Sequence, residues 1–375
     1  MGIRSFENAI FFMLAILVCL PVLLLGQPAG SAISFKPSYG IDISNGSVAG
    51  ERNFQYGLQA SYHRSFSAAP QSWAQLLHAK SFSVGLLWTN MRHMREFADE
   101  TVYDHGHAIG ALAEVDFQLL QLGEASLSLV PGLGLSYLTE TVNTQPATVT
   151  VGSHLNMALS AGLQLEVPLG RGLSLLGGGH ILHYSNGGMR VPNGGINTFN
   201  ASLGLKQEFD SKASRPTHPG RPFQHIEGSS GELVIGMGRR GKYRSTTEGF
   251  YRTAVYAGYN YYFNQAFGLK AGFDMVYYHT VFDIDRFDET FQYYGSSYDP
   301  IRMGLGVGFD VAMNRLVVSG LVGKYLHYNS YHEDVNWYWT SGLRYYITPH
   351  VGLQSTLYMH RVQADFINWG VVLKI

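Results

Sequence analysis

A histidine and a serine stand two residues apart near the end of an alternating apolar segment, at His183 and Ser185. Alternate residues of a strand point to opposite faces, so both side chains share one face with Leu175 and Ile181. A histidine can take the proton of a serine hydroxyl, which then attacks an acyl carbonyl. The pair therefore predicts nucleophilic acyl transfer at the end of a strand, on its apolar face.

The residues that follow can complete such a site. Asn197 begins the next predicted strand on the same face as Phe199, where its side chain can orient an imidazole. Amide and backbone N–H groups of the intervening glycine-rich loop can stabilise an oxyanion. The predicted catalytic residues are His183, Ser185 and Asn197, supported at the oxyanion by Asn186, Gly188 and Asn193. The open alternative is an ordinary polar rim without chemistry.

Other polar groups carry weaker predictions. His154 and Asn156 occupy even positions before the site strand, so we expect both to face the lumen with structural roles. The acidic segments 283–289 and 332–334 offer oxygen ligands, but they lack the spacing of known cation-binding loops. We interpret them as hydrated loops and predict no metal site.

Apolar and polar residues alternate with a period of two along much of the chain, and this pattern predicts the strands that position these residues. From Ala125 to Tyr137 the odd positions are mostly large and apolar, and the even ones are mostly small or polar. The segment 155–167 repeats the pattern. Strands of soluble sandwiches are typically about 5 to 6 residues long, whereas these approach about 12. With 13% aromatic residues, 14% charged residues and 44 glycines, the chain is typical of an antiparallel transmembrane β-barrel.

Segments of this kind begin near residues 33, 53, 80, 106, 124, 153, 172, 195, 231, 250, 266, 300, 315, 337, 350 and 365. The fold class is therefore all-β, with about sixteen strands. A single sixteen-stranded barrel is preferred, because two sheets would each need their own closure in lipid. The alternative is an eight-stranded barrel, 33–209, followed by a Pro-rich connector, 210–230, and a second eight-stranded half, 231–375.

The remaining composition limits the location and the partners. Residues 1–32 combine a lone basic residue, an apolar run and small residues, which indicates a secretory signal peptide. The single cysteine, Cys19, lies inside that run, so the mature chain needs no disulfide or thiolate chemistry. The net charge of −1 gives no electrostatic basis for binding nucleic acid.

The longer pattern around the site resembles a known family. His183-Tyr184-Ser185-Asn186, followed by Pro192-Asn193 and Gly195-Ile196, looks like the signature of the outer-membrane lipid A 3-O-deacylases, the PagL family. The resemblance extends over about residues 33 to 209. The two-part length and the ending 364–370 resemble the acyloxyacyl hydrolase-type relatives of that family.

The resemblance implies a serine esterase of the Gram-negative outer membrane that removes the 3-O-linked acyl chain of lipid A without a cofactor. It assigns His183 as the catalytic histidine, Ser185 as the nucleophile, and Asn186 and Asn193 to the oxyanion region. Arg190 can bind a lipid A phosphate, although a solvated loop arginine is the preferred interpretation. Asn197 departs from the glutamate of the founding members, which leaves a catalytically inactive or porin-like barrel as the alternative. The sequence leaves the oligomeric state open.

Overall fold

The structure is a computed structural model that describes residues 28–44, 53–66, 72–98, 101–145, 150–209, 223–245, 247–281, 297–329, 335–360 and 363–375. Most of the predicted signal peptide and the acidic segments 283–289 and 332–334 lie outside these ranges. The chain forms two compact units, each built around one β-barrel. None of the helices within the described ranges is long and apolar enough to cross a membrane.

The first unit contains a closed antiparallel barrel. Its elements are β1 (Pro28–Asp42), β2 (Phe54–Phe66), α1 (Trp73–Leu76), β3 (Ala79–Asn90), β4 (Arg95–Ala98), β5 (Thr101–Asp104), β6 (His107–Leu122), β7 (Ala125–Leu138), β8 (Leu155–Gly170), β9 (Leu173–Ser185) and β10 (Ile196–Phe209). The barrel order is β1-β10-β9-β8-β7-β6-β3-β2, and β1 pairs with both β10 and β2. The strands β4 and β5 form a separate hairpin that the alternation did not predict.

The second unit contains another closed antiparallel barrel. Its strands are β11 (Gly228–Gly241), β12 (Gly249–Tyr262), β13 (Phe267–Tyr278), β14 (Ile301–Met313), β15 (Leu316–His327), β16 (Trp337–Tyr346), β17 (Val351–His360) and β18 (Gln363–Lys374). They follow one another around the barrel in chain order, and β11 closes it by pairing with β18.

The all-β antiparallel fold is confirmed, but the preference for one sixteen-stranded barrel is wrong. The alternative with two eight-stranded halves is the observed arrangement. The physical reason is that β10 closes on β1, so the backbone groups of both edges are satisfied before the connector begins. Alternation is a property of each strand alone, so it could not distinguish closure after eight strands from closure after sixteen.

Side chains alternate across both barrel walls as the pattern predicted. On β9 and β10, Leu182 and Tyr184 are buried, while Ile181 and Phe199 point outward and are each 48% exposed. The second barrel has the same outward apolar surface, with Val307 66% exposed. An outward apolar band of this kind is the surface that a β-barrel presents to lipid.

Ion pairs occupy the lumen of each barrel. In the first, Glu166 contacts Lys206 at 2.8 Å and Lys80 at 3.3 Å. An eight-stranded barrel has an interior that side chains alone can fill.

The second lumen holds a denser set of buried charges. Glu232 accepts hydrogen bonds from Arg344 at 2.7 and 2.8 Å, and Lys270 lies 3.1 Å from Glu232 and 3.2 Å from Asp310. Further along the same lumen, Asp365 of β18 contacts arginines of β12 and β14. Arg252 Nη2 lies 3.1 Å from Asp365 Oδ1, and Arg302 Nη1 lies 3.2 Å from Asp365 Oδ2. Opposite charges therefore compensate one another inside the barrel.

Short turns cluster at one end of each barrel, which we call its turn end. In the first barrel Arg171 and Gly172, with φ of 54° and 73°, join β8 to β9, as left-handed hairpin turns require. In the second barrel the turns at this end are 263–266, 314–315 and 347–350. The opposite end, which we call the loop end, carries longer connections such as 139–154 and 186–195.

Candidate active site

The candidate site lies at the loop end of β9 and β10. His183 pairs across the two strands with Asn197, and Ser185 pairs with Met157 of β8. His183 and Ser185 share the outward side of β9 with Ile181. The polar groups of the site therefore adjoin an apolar surface on the outside of the barrel.

Asn197 orients the imidazole of His183. The His183 Nδ1 atom lies 2.7 Å from Asn197 Oδ1. An amide oxygen can only accept a hydrogen bond, so Nδ1 carries the proton and donates it. The Nε2 atom then holds the lone pair that a general base requires.

Asn193 holds the side chain of Ser185. Its Nδ2 atom donates a hydrogen bond to Ser185 Oγ at 2.8 Å. Its Oδ1 atom accepts one from the backbone N–H of Asn186 at 3.1 Å. The backbone donor fixes the orientation of the amide, because the flipped form would turn its NH₂ group toward that N–H. Asn193 therefore directs its NH₂ group at the serine oxygen.

Two serines distant in sequence support these groups. Ser153 Oγ accepts a hydrogen bond from Asn186 Nδ2 at 2.9 Å. Ser44 Oγ accepts one from the backbone N–H of Asn197 at 2.8 Å. The sequence analysis missed both supporting roles, although Ser153 lies in a segment that resembles the family. Ser44 follows β1, and only the closure of β1 on β10 brings it near Asn197.

Gly195 makes room for the histidine ring. Its φ is +79°, and a Cβ atom placed on it would lie 2.8 Å from Cε1 of His183. A side chain here would therefore be strained and would push the imidazole away. The sequence analysis treated this glycine only as part of the family pattern.

Gly188 and Arg190 belong to the segment 187–191, which groups with the second compact unit. Gly188 has a φ of +83°, and Arg190 is partly buried. Their roles at the oxyanion and at a phosphate stay predictions.

The polar residues before β8 divide between the two faces. Asn156 is buried toward the lumen, as predicted, and donates to the backbone carbonyl of Ser153 at 2.7 Å. The expectation for His154 is wrong, because it precedes β8 and stacks at 5.1 Å on Tyr137, an outward residue that is 52% exposed. The described residues contain no group of three His, Cys, Asp or Glu that could hold a metal ion.

Comparisons with known proteins match both halves of the chain. Residues 54–206 match the family model described as lipid A 3-O-deacylase (PagL), and residues 229–375 match the model described as the acyloxyacyl hydrolase C-terminal domain. No curated protein matches the chain.

Among solved structures, the outer membrane enzyme PagL is 19% identical. That comparison covers 46% of this chain and 98% of that chain, with a TM-score of 0.32. The Neisserial surface protein A is 10% identical, covering 49% of this chain and 99% of that chain, with a TM-score of 0.31. The two family models together match four fifths of the sequence. The chain therefore joins a segment that matches the lipid A 3-O-deacylase (PagL) family to one that matches the acyloxyacyl hydrolase C-terminal domain.

Proposed function

We propose that this chain is an outer-membrane esterase that removes the ester-linked acyl chain at the 3 position of lipid A. The observation that carries the proposal is two hydrogen-bonded pairs at the loop end of β9 and β10, His183 with Asn197 and Ser185 with Asn193. The match of residues 54–206 to the lipid A 3-O-deacylases suggests the substrate and the position of the acyl chain.

Ser185 is the nucleophile in this mechanism, and His183 is the general base. His183 Nε2 takes the hydroxyl proton while Ser185 Oγ attacks the ester carbonyl carbon. Asn197 keeps the Nδ1 proton in place throughout, so the imidazole presents Nε2 in the required tautomer. Because Asn197 is neutral, it orients the ring without offsetting the positive charge that develops on it.

The amide of Asn193 is placed to stabilise the oxyanion. Its NH₂ group already contacts Ser185 Oγ at 2.8 Å, so it lies beside the carbon that this oxygen attacks. The tetrahedral intermediate then expels the sugar alcohol, which takes the proton from His183. Water hydrolyses the acyl-serine with the same histidine as base, and the products are a fatty acid and free Ser185.

The surroundings of the site favour a substrate that arrives from the membrane. Leu159 of β8 pairs with His183 of β9 and is 38% exposed. Ile181 and Phe199 adjoin the site on the same outer surface. An acyl chain can pack along these side chains while its ester lies at Ser185. The loop end, which holds the site, would then face the outer leaflet.

The porin-like alternative has less support. Charged side chains pack inside each eight-stranded barrel, whereas water-filled pores use 16 to 18 strands. An inactive barrel that keeps the family fold remains the second hypothesis, because Asn197 replaces a carboxylate.

A serine variant tests the proposed function directly. We expect the full chain, expressed in a Gram-negative outer membrane, to remove one hydroxyacyl chain from lipid A, and Ser185→Ala to remove none. Mass spectrometry of lipid A at matched expression measures the difference. Ser65→Ala, at the turn end of β2 in the same barrel, is the control and should deacylate normally. Unchanged lipid A in all three strains would favour the inactive barrel.

A further inference from the structure

A cavity of about 380 Å³ lies at the loop end of the second barrel, outside the site described above. Arg239, Lys242, Glu248 and Tyr251 contribute to its lining, together with the edge of the β11–β12 hairpin. Arg239 pairs with Tyr251 across the two strands. Tyr251 is 46% exposed, so the cavity opens on the outer surface of the barrel.

Two cations form one wall of this cavity. Arg239 donates through Nη2 to the carbonyl of Thr247 at 2.8 Å, and Lys242 Nζ lies 2.9 Å from Glu248 Oε2. A guanidinium has five donors and an ammonium three, so each group can bind several acceptors at once. Among the lining residues that the structure describes, one carboxylate accompanies two cations, and this balance favours an anion.

Gly249 leaves room for the side chain of Arg239 on the neighbouring strand. A Cβ atom on this glycine would stand 2.6 Å from Nε and 2.7 Å from Cζ of Arg239. The close approach packs the guanidinium against the backbone of β12. A guanidinium held in this way can form two parallel hydrogen bonds to a phosphate or carboxylate.

The outer surface becomes apolar immediately below the cations. Met237 and Ile235 precede Arg239 on the same face of β11 and are 50% and 51% exposed. Tyr251 stands beside Arg239, in the position that aromatic residues take at a membrane boundary. The patch therefore offers cations at the rim and an apolar surface toward the membrane interior.

We propose that this rim cavity binds the phosphate of an acylated lipid, with Arg239 and Lys242 on the phosphate and the acyl chains against Met237 and Ile235. Only a lipid uses both parts of the surface, since a free phosphate gains nothing from the apolar side chains. The proposal does not rest on ester hydrolysis, because the cavity lies in the second barrel and none of its residues belongs to the candidate active site.

Lipid binding to the full chain tests the proposal. Using the non-hydrolysing Ser185→Ala chain in detergent, native mass spectrometry can measure the retention of bis-phosphorylated lipid A and of lipid A stripped of phosphate. We expect Arg239→Gln combined with Lys242→Gln to weaken binding of the phosphorylated lipid at least tenfold and to leave the stripped lipid unchanged. The matched control Lys324→Gln removes an exposed cation of β15 that does not line the cavity.

A variant that binds the lipid more tightly distinguishes loss of the site from misfolding of the chain. Glu248→Gln removes the carboxylate beside Lys242 and should tighten binding of the phosphorylated lipid, which misfolding cannot do. Equal retention of phosphorylated lipid by the double variant and its parent would overturn the proposal. Inorganic phosphate that competes as strongly as the lipid would overturn the lipid assignment in favour of a free anion. Activity of the Ser185-containing chain is a separate measurement, so the two proposals can fail independently.

Discussion

At the scale of single residues, the site depends on two side-chain amides used in opposite ways. Asn197 presents its oxygen to His183, and Asn193 presents its NH₂ group to Ser185. The first amide orients the base, and the second is placed to stabilise negative charge on the substrate. These separate roles lead to different expectations for substitution.

Asn197→Glu should accelerate deacylation. A carboxylate would keep the hydrogen bond to His183 Nδ1 and would also offset the charge on the imidazolium. Exchanging a carboxylate for its amide at this position of a serine protease costs about 10⁴ in kcat, so we expect a gain of at least about tenfold. Initial rates of acyl release from lipid A in detergent measure it. Asn197→Ala, which removes the acceptor, should be slower than the wild type; a faster Ala variant would contradict the orienting role.

Asn193→Ala should lower kcat with little change in barrel folding. Removing one oxyanion-hole donor typically costs about 10² to 10³ in kcat. Acyl release and heat-modifiable gel mobility together separate lost chemistry from lost folding. Asn143→Ala, an exposed asparagine of the 139–154 connection, is the matched control. Wild-type kcat in Asn193→Ala would remove this amide from the oxyanion role.

At the scale of elements, the hairpin of β9 and β10 determines the geometry of the site. Ladder pairing places Asn197 opposite His183, so the orienting contact follows from register alone. The loop between the strands must then return Asn193 to Ser185 and pass closely by the histidine ring. Gly195 meets the second requirement with its left-handed backbone.

Gly195→Ala should therefore impair catalysis through the position of His183. The new Cβ atom would lie 2.8 Å from Cε1 of the ring, at a φ of +79° that alanine disfavours. Backbone strain of this kind costs about 1 to 3 kcal/mol, and displacement of the base lowers kcat. Acyl-release kinetics measure the effect, with Gly194→Ala at the exposed neighbouring position as control. Equal rates in both variants would show that the ring tolerates the added atom.

At the scale of the whole molecule, each barrel satisfies its own edges and compensates its own buried charges. In the first barrel β1 pairs with β10, and Glu166 is neutralised by lysines of the same lumen. In the second, β11 pairs with β18, and Glu232 lies between Arg344 and Lys270. No strand pairing of either barrel depends on the other.

A chain that ends at residue 222 should therefore fold as a closed barrel. It keeps all eight strands of the first barrel and every ladder that closes it. Heat-modifiable gel mobility and far-ultraviolet circular dichroism after refolding in detergent measure this outcome. A chain that ends at residue 195 is the control, because it lacks β10 and leaves one edge of β1 and one edge of β9 unpaired. Failure of the longer chain to fold would mean that the second barrel is needed for closure.

Local sequence predicted most of the strands. The predicted starts lie close to the observed ones, within one residue for β2, β3 and β6, because alternation reports which face of a strand is apolar. The larger error is at β1, predicted from residue 33 and observed from Pro28. There the signal-like composition obscured the pattern. The β4–β5 hairpin was missed because its short strands have too few alternating positions.

The sequence by itself determined the barrel strands, their apolar and polar faces, and the segment from His183 to Asn197 that carries the candidate site. These features are local, since they depend on side-chain alternation and on residues near one another in the chain. Only the tertiary structure decided that the walls close after eight strands and that Ser44 meets Asn197. Both depend on β1 pairing with β10 across more than 150 residues, and nothing local specifies which distant edge a strand will satisfy.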